Sequence, residues 1–326
     1  MKVLISGYYG FGNFGDELIL SCLCSHLKLK NINVSVLSSN PKYTSVNNGV
    51  DAFYSFDFKA LPDLIKKHDI LISGGGSLLQ DVTSKKSLIY YLIIIFLALF
   101  FKKKVIIFAQ GIGPISDKFL FFITKLLLKH CSYVSVRDEK SLEVLNNSGI
   151  DADLLCDPAF SISLPEYKPN GVIGVQLRDF PSLDKNDLKV LVNHILSTFP
   201  NSKIELICFQ DAYDYEISKY FEKLLKECSP SANVEILHGL TNQEIIYKMS
   251  SMEYLYAMRF HAIVIALMYG IKTVAINYDA KVEKLAKEVD ISLLNLDFSN
   301  IKDINWKHVK FARCFDWSGF DRIIGY

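Results

Sequence analysis

Residues 252–270 read Met-Glu-Tyr-Leu-Tyr-Ala-Met-Arg-Phe-His-Ala-Ile-Val-Ile-Ala-Leu-Met-Tyr-Gly. The run 252–256 is short, apolar and aromatic, as a strand is. The run 263–269 is apolar and of helical length, and Gly270 closes it as a helix C-cap residue does. Arg259 and His261 therefore fall where a strand ends and a helix begins. Such a junction presents unpaired backbone N–H groups and the positive end of the helix dipole, which together favour an anion. An Arg and a His two residues apart can both reach one ligand there. His is also the side chain suited to proton transfer near neutral pH. The bland reading of a lone His is that it caps or packs its helix, so the rest of the chain has to carry the functional one.

The same strand–turn–helix unit recurs on both sides. Strand-like runs at 2–6, 34–37, 69–73, 105–108 and 133–136 lie in the first half. The run 2–6 leads through Gly7 to Glu17 into a helix, and 69–73 ends in three glycines. The run 105–108 ends in Gln110-Gly111-Ile112-Gly113-Pro114, and 133–136 in Arg137-Asp138. A stretch with two prolines and a glycine, 163–171, interrupts the pattern. It restarts with a strand at 172–177 ending in Arg178-Asp179, and a strand at 203–209 follows. Thr241 and Glu244 fit a capping box, and the strand 273–276 leads through Asp279 and Lys281 into a helix. This alternation predicts an α/β chain of two Rossmann-like parallel-sheet domains facing across a cleft. The expected limits are 1–165 and 170–300. A tail, 301–326, holds Trp306, Phe311, Phe315, Trp317 and Phe320 and is expected to pack across one domain or back onto the first.

With 326 residues, 50% hydrophobic and 22% charged, the chain can bury two cores. A net charge of +1 and the lack of a nucleic-acid motif exclude a broad basic face for nucleic acid. Seven scattered cysteines without a CxxC pair predict reduced thiols in a cytoplasmic protein, with no zinc site and no other metal. The N-terminus reads as a strand entering a glycine turn rather than a signal peptide. Residues 88–101 form an unbroken apolar run followed by three lysines, 102–104. The run is shorter than the roughly 20 residues of a spanning helix. It reads either as a helix buried in a parallel-sheet domain or as one dipping into a membrane surface, its lysines at anionic head groups. The second reading makes the protein peripheral at the inner face of the cell membrane.

In open parallel sheets, ligands bind beyond the carboxyl ends of the strands. The polar clusters all fall at such ends: Asn13 and Asp16; Gly75, Gly76, Ser77, Gln80 and Asp81; Gln110; Arg137; Arg178; Arg259 and His261; Lys281. That recurrence favours the functional reading of His261. Residues 10–15 match GxGxxG, yet a dinucleotide site is disfavoured. Ser38-Ser39-Asn40 stand where its acidic residue belongs, and Asp16 and Glu17 add negative charge where a pyrophosphate would lie. Arg137, Arg178, Arg259 and Lys281 read either as ordinary surface ion pairs, worth about 0–1 kcal/mol each, or as the cations of a site for a small phosphate- and carboxylate-bearing ligand.

The combination resembles the polysaccharide pyruvyl transferase family, and its CsaB-type members most. The residues that carry it are GYYGFGNFGDELI at 7–19, GGGSLLQDVTSKKSLIYY at 74–91, AQGIGP at 109–114, VRDEKS at 136–141, DPA at 157–159, MRFHA at 258–262 and NYDAKV at 277–282. Phe260 stands where the family often has Leu, and Ala280 where it often has Pro. The resemblance implies a GT-B-like fold and transfer of a pyruvyl group from phosphoenolpyruvate onto two sugar hydroxyls as a cyclic ketal, without a cofactor. It implies a lipid-linked, N-acetylmannosamine-containing acceptor, destined for cell-wall polymers that anchor S-layer proteins. The helix at 88–101 and its lysines would then dock beside the lipid carrier. In this scheme His261 is the general acid. Arg137, Arg259 and Lys281 hold phosphate and carboxylate, and Asp16 or Asp81 accepts a hydroxyl proton. Two other readings compete: a GT-B glycosyltransferase using a nucleotide sugar, and a non-catalytic sugar-binding protein at the membrane.

Overall fold

A computed structural model describes residues 1–326. Seven segments form strands β1 (Lys2–Ser6), β2 (Asn33–Ser38), β3 (Asp51–Tyr54), β4 (Ile70–Gly74), β5 (Lys104–Gln110), β6 (Tyr133–Val136) and β7 (Asp153–Leu154). They pair in parallel in the order β3-β2-β1-β4-β5-β6-β7. Six more, β8 (Val172–Gln176), β9 (Ile204–Ile207), β10 (Val234–Leu237), β11 (Met252–Ala257), β12 (Lys272–Ile276) and β13 (Leu293–Leu294), make a second parallel sheet in the order β10-β9-β8-β11-β12-β13. The expected fold class is what the chain adopts: two parallel-sheet α/β units. In each sheet the chain starts in the middle, winds one way, then returns and winds the other. The switch falls between β1 and β4 in the first sheet and between β8 and β11 in the second, and a doubly wound sheet opens its binding crevice at such a switch.

The cores follow from the two-residue period of strands. In the first unit Leu4, Leu71, Val105 and Ile107 point to one face, which the helix Lys85–Phe100 covers. Val3, Ile5, Ile70, Ile72, Ile106 and Phe108 point to the other, against the helix Phe14–Leu29. The second core holds Ile173, Val175, Leu206, Tyr256, Val274 and Ile276 under the helices Leu188–Thr198 and Asp211–Cys228. Thr241 and Glu244 form the capping box read from sequence.

One unit is Met1–Ile162 together with Arg313–Tyr326, and the other is Ser163–Ala312. The stretch 301–326 is thus not one tail. Trp306 packs edge-on against Tyr254 and Tyr256, and the Phe311 N–H bonds to the Leu267 carbonyl, so this part stays with the second unit. Phe315, Phe320 and Ile324 sink into the first core. The Phe108 ring meets those of Phe315, Trp317 and Phe320 at 5.6, 5.4 and 5.2 Å. Asp321 fixes the returning segment, 2.7 Å from His26 and 2.9 Å from Lys30. The reason is apolar area: the helix Phe14–Leu29 covers part of this face, and the returning segment covers the Phe108 ring beside it.

The run 88–101 has one face buried and one exposed. The helix Lys85–Phe100 buries Leu88, Tyr91, Leu92, Ile94, Ile95 and Ala98 on the sheet and leaves Ile89, Ile93, Phe96 and Phe100 exposed. No helix is long and apolar enough to cross a membrane.

Candidate functional site

In the first unit the register sets Ser6 beside Ser73 and Gly74 beside Phe108, so the loops after β1, β4 and β5 leave the sheet side by side. Close packing demands their glycines. Tyr9 is buried and its hydroxyl donates to the Gly74 carbonyl at 2.7 Å. A Cβ on Gly75 (φ +93°) would lie 3.0 Å from that hydroxyl, and one on Gly76 (φ +48°) 2.4 Å from Asp16 Oδ1. Asn13 caps the helix Phe14–Leu29, accepting from the Gly15 N–H, and its amide donates to Asp16 Oδ2 at 2.6 Å. Gln110 is fully buried. Its amide donates to Ser73 Oγ at 2.9 Å, while its carbonyl oxygen has no hydrogen-bond partner. A slip of register between Ile107 and Gln110 aims this side chain, with Ala109 at φ +43° and its N–H on Ser135 Oγ.

Arg137 ends the row. It donates to Asp157 at 2.6 Å and to Ser77 Oγ at 3.4 Å; Asp157 is buried and Arg137 partly so. Asp157 in turn caps the short helix Pro158–Ser161. Thus Asn13, Asp16, Gly75, Gly76, Ser77, Gln110 and Arg137 come together at one sheet end. Gln80 and Asp81 serve the chain instead. Gln80 closes a turn on Thr83. The Asp81 carboxylate accepts the Ser116 and Asp117 N–H groups at 2.9 Å, and these bonds, Ser116 foremost, hold its pKa below the usual range. That makes it a poor proton acceptor.

Sequence reasoning missed Glu17 in this row. It lies one position beyond Asp16 and is only 3% exposed. One oxygen accepts the Gly10 N–H at 2.7 Å; the other is buried without a hydrogen-bond partner. Burial pushes its pKa up to about 7, against the opposing pull of the Gly10 N–H. The signal was an acidic residue in a first helical turn followed at once by the apolar run 18–20.

In the second unit Gln176, Ala257 and Ala275 lie in register along neighbouring strands. The turns after β8, β11 and β12 therefore emerge together, bringing Arg178, Arg259, His261 and Lys281 to one end. Arg259 N-caps the helix Phe260–Tyr269, and its N–H bonds to the Gln176 side chain at 2.7 Å. Its guanidinium is turned inward. Nε and one terminal nitrogen reach both Asp214 oxygens at 2.6–3.1 Å, and that terminal nitrogen also reaches Gln210. The Asp214 carboxylate further accepts from the Phe209 and Gln210 N–H groups and from Gln176. Asp214 is fully buried and Arg259 nearly so. The guanidinium expected to face a substrate is thus engaged by Asp214, a partner that sequence reasoning passed over.

His261 stands half-buried in the first turn of that helix, its ring edge-on to Phe260 at 5.3 Å. Arg178 lies between aromatic faces, 5.2 Å from the Tyr213 ring and 5.8 Å from the Tyr278 ring. Burial pushes the Tyr278 hydroxyl pKa up. Lys281 is exposed in the first turn of the helix Ala280–Glu288, whose cap Asp279 accepts its N–H at 2.8 Å. Ala280 in place of Pro leaves that cap formed. Two helix N-termini, an imidazole, the half-buried Arg178 and the exposed Lys281 suit an anionic ligand and a proton transfer. The first unit's buried amides and carboxylates suit a polar, hydroxyl-rich one.

Among solved structures the chain is similar to the UDP-GlcNAc 2-epimerase from Methanocaldococcus jannaschii (TM-score 0.66, 13% identity, covering 99% of this chain and 98% of that one). It is similar also to the Neisseria meningitidis UDP-GlcNAc 2-epimerase bound to UDP-GlcNAc (0.63, 12%, 93% and 90%) and to Anabaena HepE in complex with UDP-glucose (0.59, 14%, 93% and 89%). At such identities the likeness is one of GT-B-like fold. No curated protein sequence matches the chain. The family model for polysaccharide pyruvyl transferase matches residues 13–280.

Proposed function

The chain belongs to the polysaccharide pyruvyl transferase family, and from that premise we propose that it transfers a pyruvyl group from phosphoenolpyruvate to two hydroxyls of a sugar, as a cyclic ketal. In this reading the acceptor is a lipid-linked, N-acetylmannosamine-containing saccharide, as in CsaB-type members, and the product serves cell-envelope polysaccharide synthesis on the cytoplasmic side. The observation that carries it is the second unit's sheet end: His261 in a helix N-terminus, between a turn bearing Arg178 and a turn bearing Lys281.

The chemistry follows from those groups. Arg178, Lys281 and the helix N-terminus hold the phosphate and carboxylate of phosphoenolpyruvate. His261 delivers a proton to the methylene carbon, leaving positive character at the carbon that bears the phosphate. One sugar hydroxyl adds to that carbon, and the C–O bond to phosphate breaks. The second hydroxyl then closes the ketal. Of the two hydroxyl protons, one returns to the imidazole and the other leaves with phosphate. Arg259, held by Asp214, keeps the His261 turn in place. In the first unit, Arg137, braced by Asp157 and Ser77, is the candidate anion contact, and the Asn13, Asp16, Glu17 and Gln110 group is the candidate for a sugar's polar atoms. The scheme calls on no metal or cofactor.

The test is phosphate release from phosphoenolpyruvate with and without a lipid-linked N-acetylmannosaminyl acceptor, in wild type and His261→Ala. The expected result is acceptor-dependent release, about 10²–10⁴-fold slower in the variant, as for loss of a general acid. Near-wild-type release by a folded variant would remove His261 from the mechanism. No release, with tight binding of uridine diphosphate, would favour a glycosyltransferase.

A further inference from the structure

The helix Lys85–Phe100 packs beside the helix Lys118–Leu128. Both leave an apolar stripe in water. On the first, Ile89, Ile93, Phe96 and Phe100 recur at spacings of four, three and four, the repeat of one helical face; Phe96 is 52% and Phe100 66% exposed. On the second, Phe119, Phe122 and Leu126 recur at three and four, with Phe119 69% and Phe122 57% exposed. Single exposed apolar residues are ordinary on a protein surface, but two adjacent aromatic-rich stripes are not.

The charge around them selects the occupant. Residues 82–129 contain eight lysines and one acidic residue, Asp117, which pairs with Lys85. Their net charge is +7 in a chain of net +1, which leaves −6 for everything else. Lys86 continues the first stripe and Lys129 the second, three residues beyond Ile89 and Leu126 respectively, and Lys102 and Lys118 stand exposed at their ends. A second copy of this chain docking by the same face would set +7 against +7. An anionic bilayer complements both features at once, since aromatic and aliphatic side chains enter the head-group boundary while lysines meet lipid phosphates.

We propose that these two helices together form a membrane-docking face for an anionic lipid surface, holding the protein peripherally without a spanning segment. The sequence suggests only the first helix; the second supplies two further exposed phenylalanines. The proposal stands independently of the pyruvyl-transfer reading.

The test is flotation of the full chain with vesicles of phosphatidylcholine alone or with phosphatidylglycerol added, at low and high salt. Binding is expected to need phosphatidylglycerol and to weaken with salt. Replacing Phe96, Phe100, Phe119 and Phe122 together by Ser is expected to abolish flotation while leaving the far-UV circular dichroism unchanged. Each of Lys86, Lys102, Lys118 and Lys129 changed to Gln is expected to lower binding about fivefold. Absence of flotation on every vesicle overturns the proposal. So does light scattering that shows a dimer in wild type and a monomer in the phenylalanine variant, which would make the face an interface between copies.

Discussion

Glu17 is a carboxyl group folded into the dry side of a glycine loop, and that placement has a sign. An acid raised from the usual 4.5 to about 7 keeps its proton in the folded chain while the unfolded chain has released it. Below about pH 4.5 both states are protonated and Glu17 costs nothing. As pH rises from there to about 7, folding stability falls, and above 7 the full cost remains, on the order of 3 kcal/mol. Glu17→Gln keeps an acceptor for the Gly10 N–H and removes the ionisation. The urea-unfolding free energy of this variant is therefore expected to decline less between pH 5 and 8 than that of wild type. Parallel curves would show that Glu17 does not titrate in that range. The contrast with His261 explains what was legible. His261 and Arg259 were visible because a strand–helix junction is a local pattern. The Arg259 partner is 45 residues upstream, on the helix Asp211–Cys228, and no local pattern announces a contact of that range. Burial of Glu17 is likewise a property of its neighbours, not of its own spacing.

Among elements, nine of the thirteen strands were legible, each a short apolar run ending in glycine or a polar stretch. The four edge strands, β3, β7, β10 and β13, were not read, since they are two to four residues long and incompletely buried, and the strand order came only with the structure. The C-terminal helix Ser318–Ile324 was not legible, because its seven residues offer only two turns and its value lies in what it covers. Its Phe320 is fully buried against Phe108, with Trp317 stacked on His26 at 3.7 Å. Phe320→Ala is expected to destabilise the first unit by about 3–5 kcal/mol, the range for a buried phenylalanine, read as a lower midpoint in urea monitored by Trp317 fluorescence. A cost below about 1 kcal/mol would mean the helix lies on the sheet without sealing it. The apolar run at 88–101 shows a subtler limit: composition revealed that it was apolar all round, but only the sheet beneath it determines which half is hidden.

At the scale of the molecule, the chain's two tryptophans are divided one to each core, Trp306 against Tyr254 and Trp317 against Phe108. Trp317→Phe makes fluorescence a report on the second core alone. In that background Asp214→Ala, which strands the buried Arg259 charge, is expected to cost about 3–5 kcal/mol and to lower the Trp306 transition accordingly. An unchanged transition would mean that the Arg259 side chain escapes to water when unpaired. The division of the core residues also bears on how the polypeptide is made. A ribosome releases residues 1–162 before residues 163–312, yet the Phe108 part of their sheet face lacks its covering rings until residues 313–326 have followed. The second unit has all of its chain before then. During synthesis the order of completion therefore runs against the order of translation: of the two units the one begun earlier is completed later, and its exposed Phe108 patch is a natural client of a chaperone in the interval.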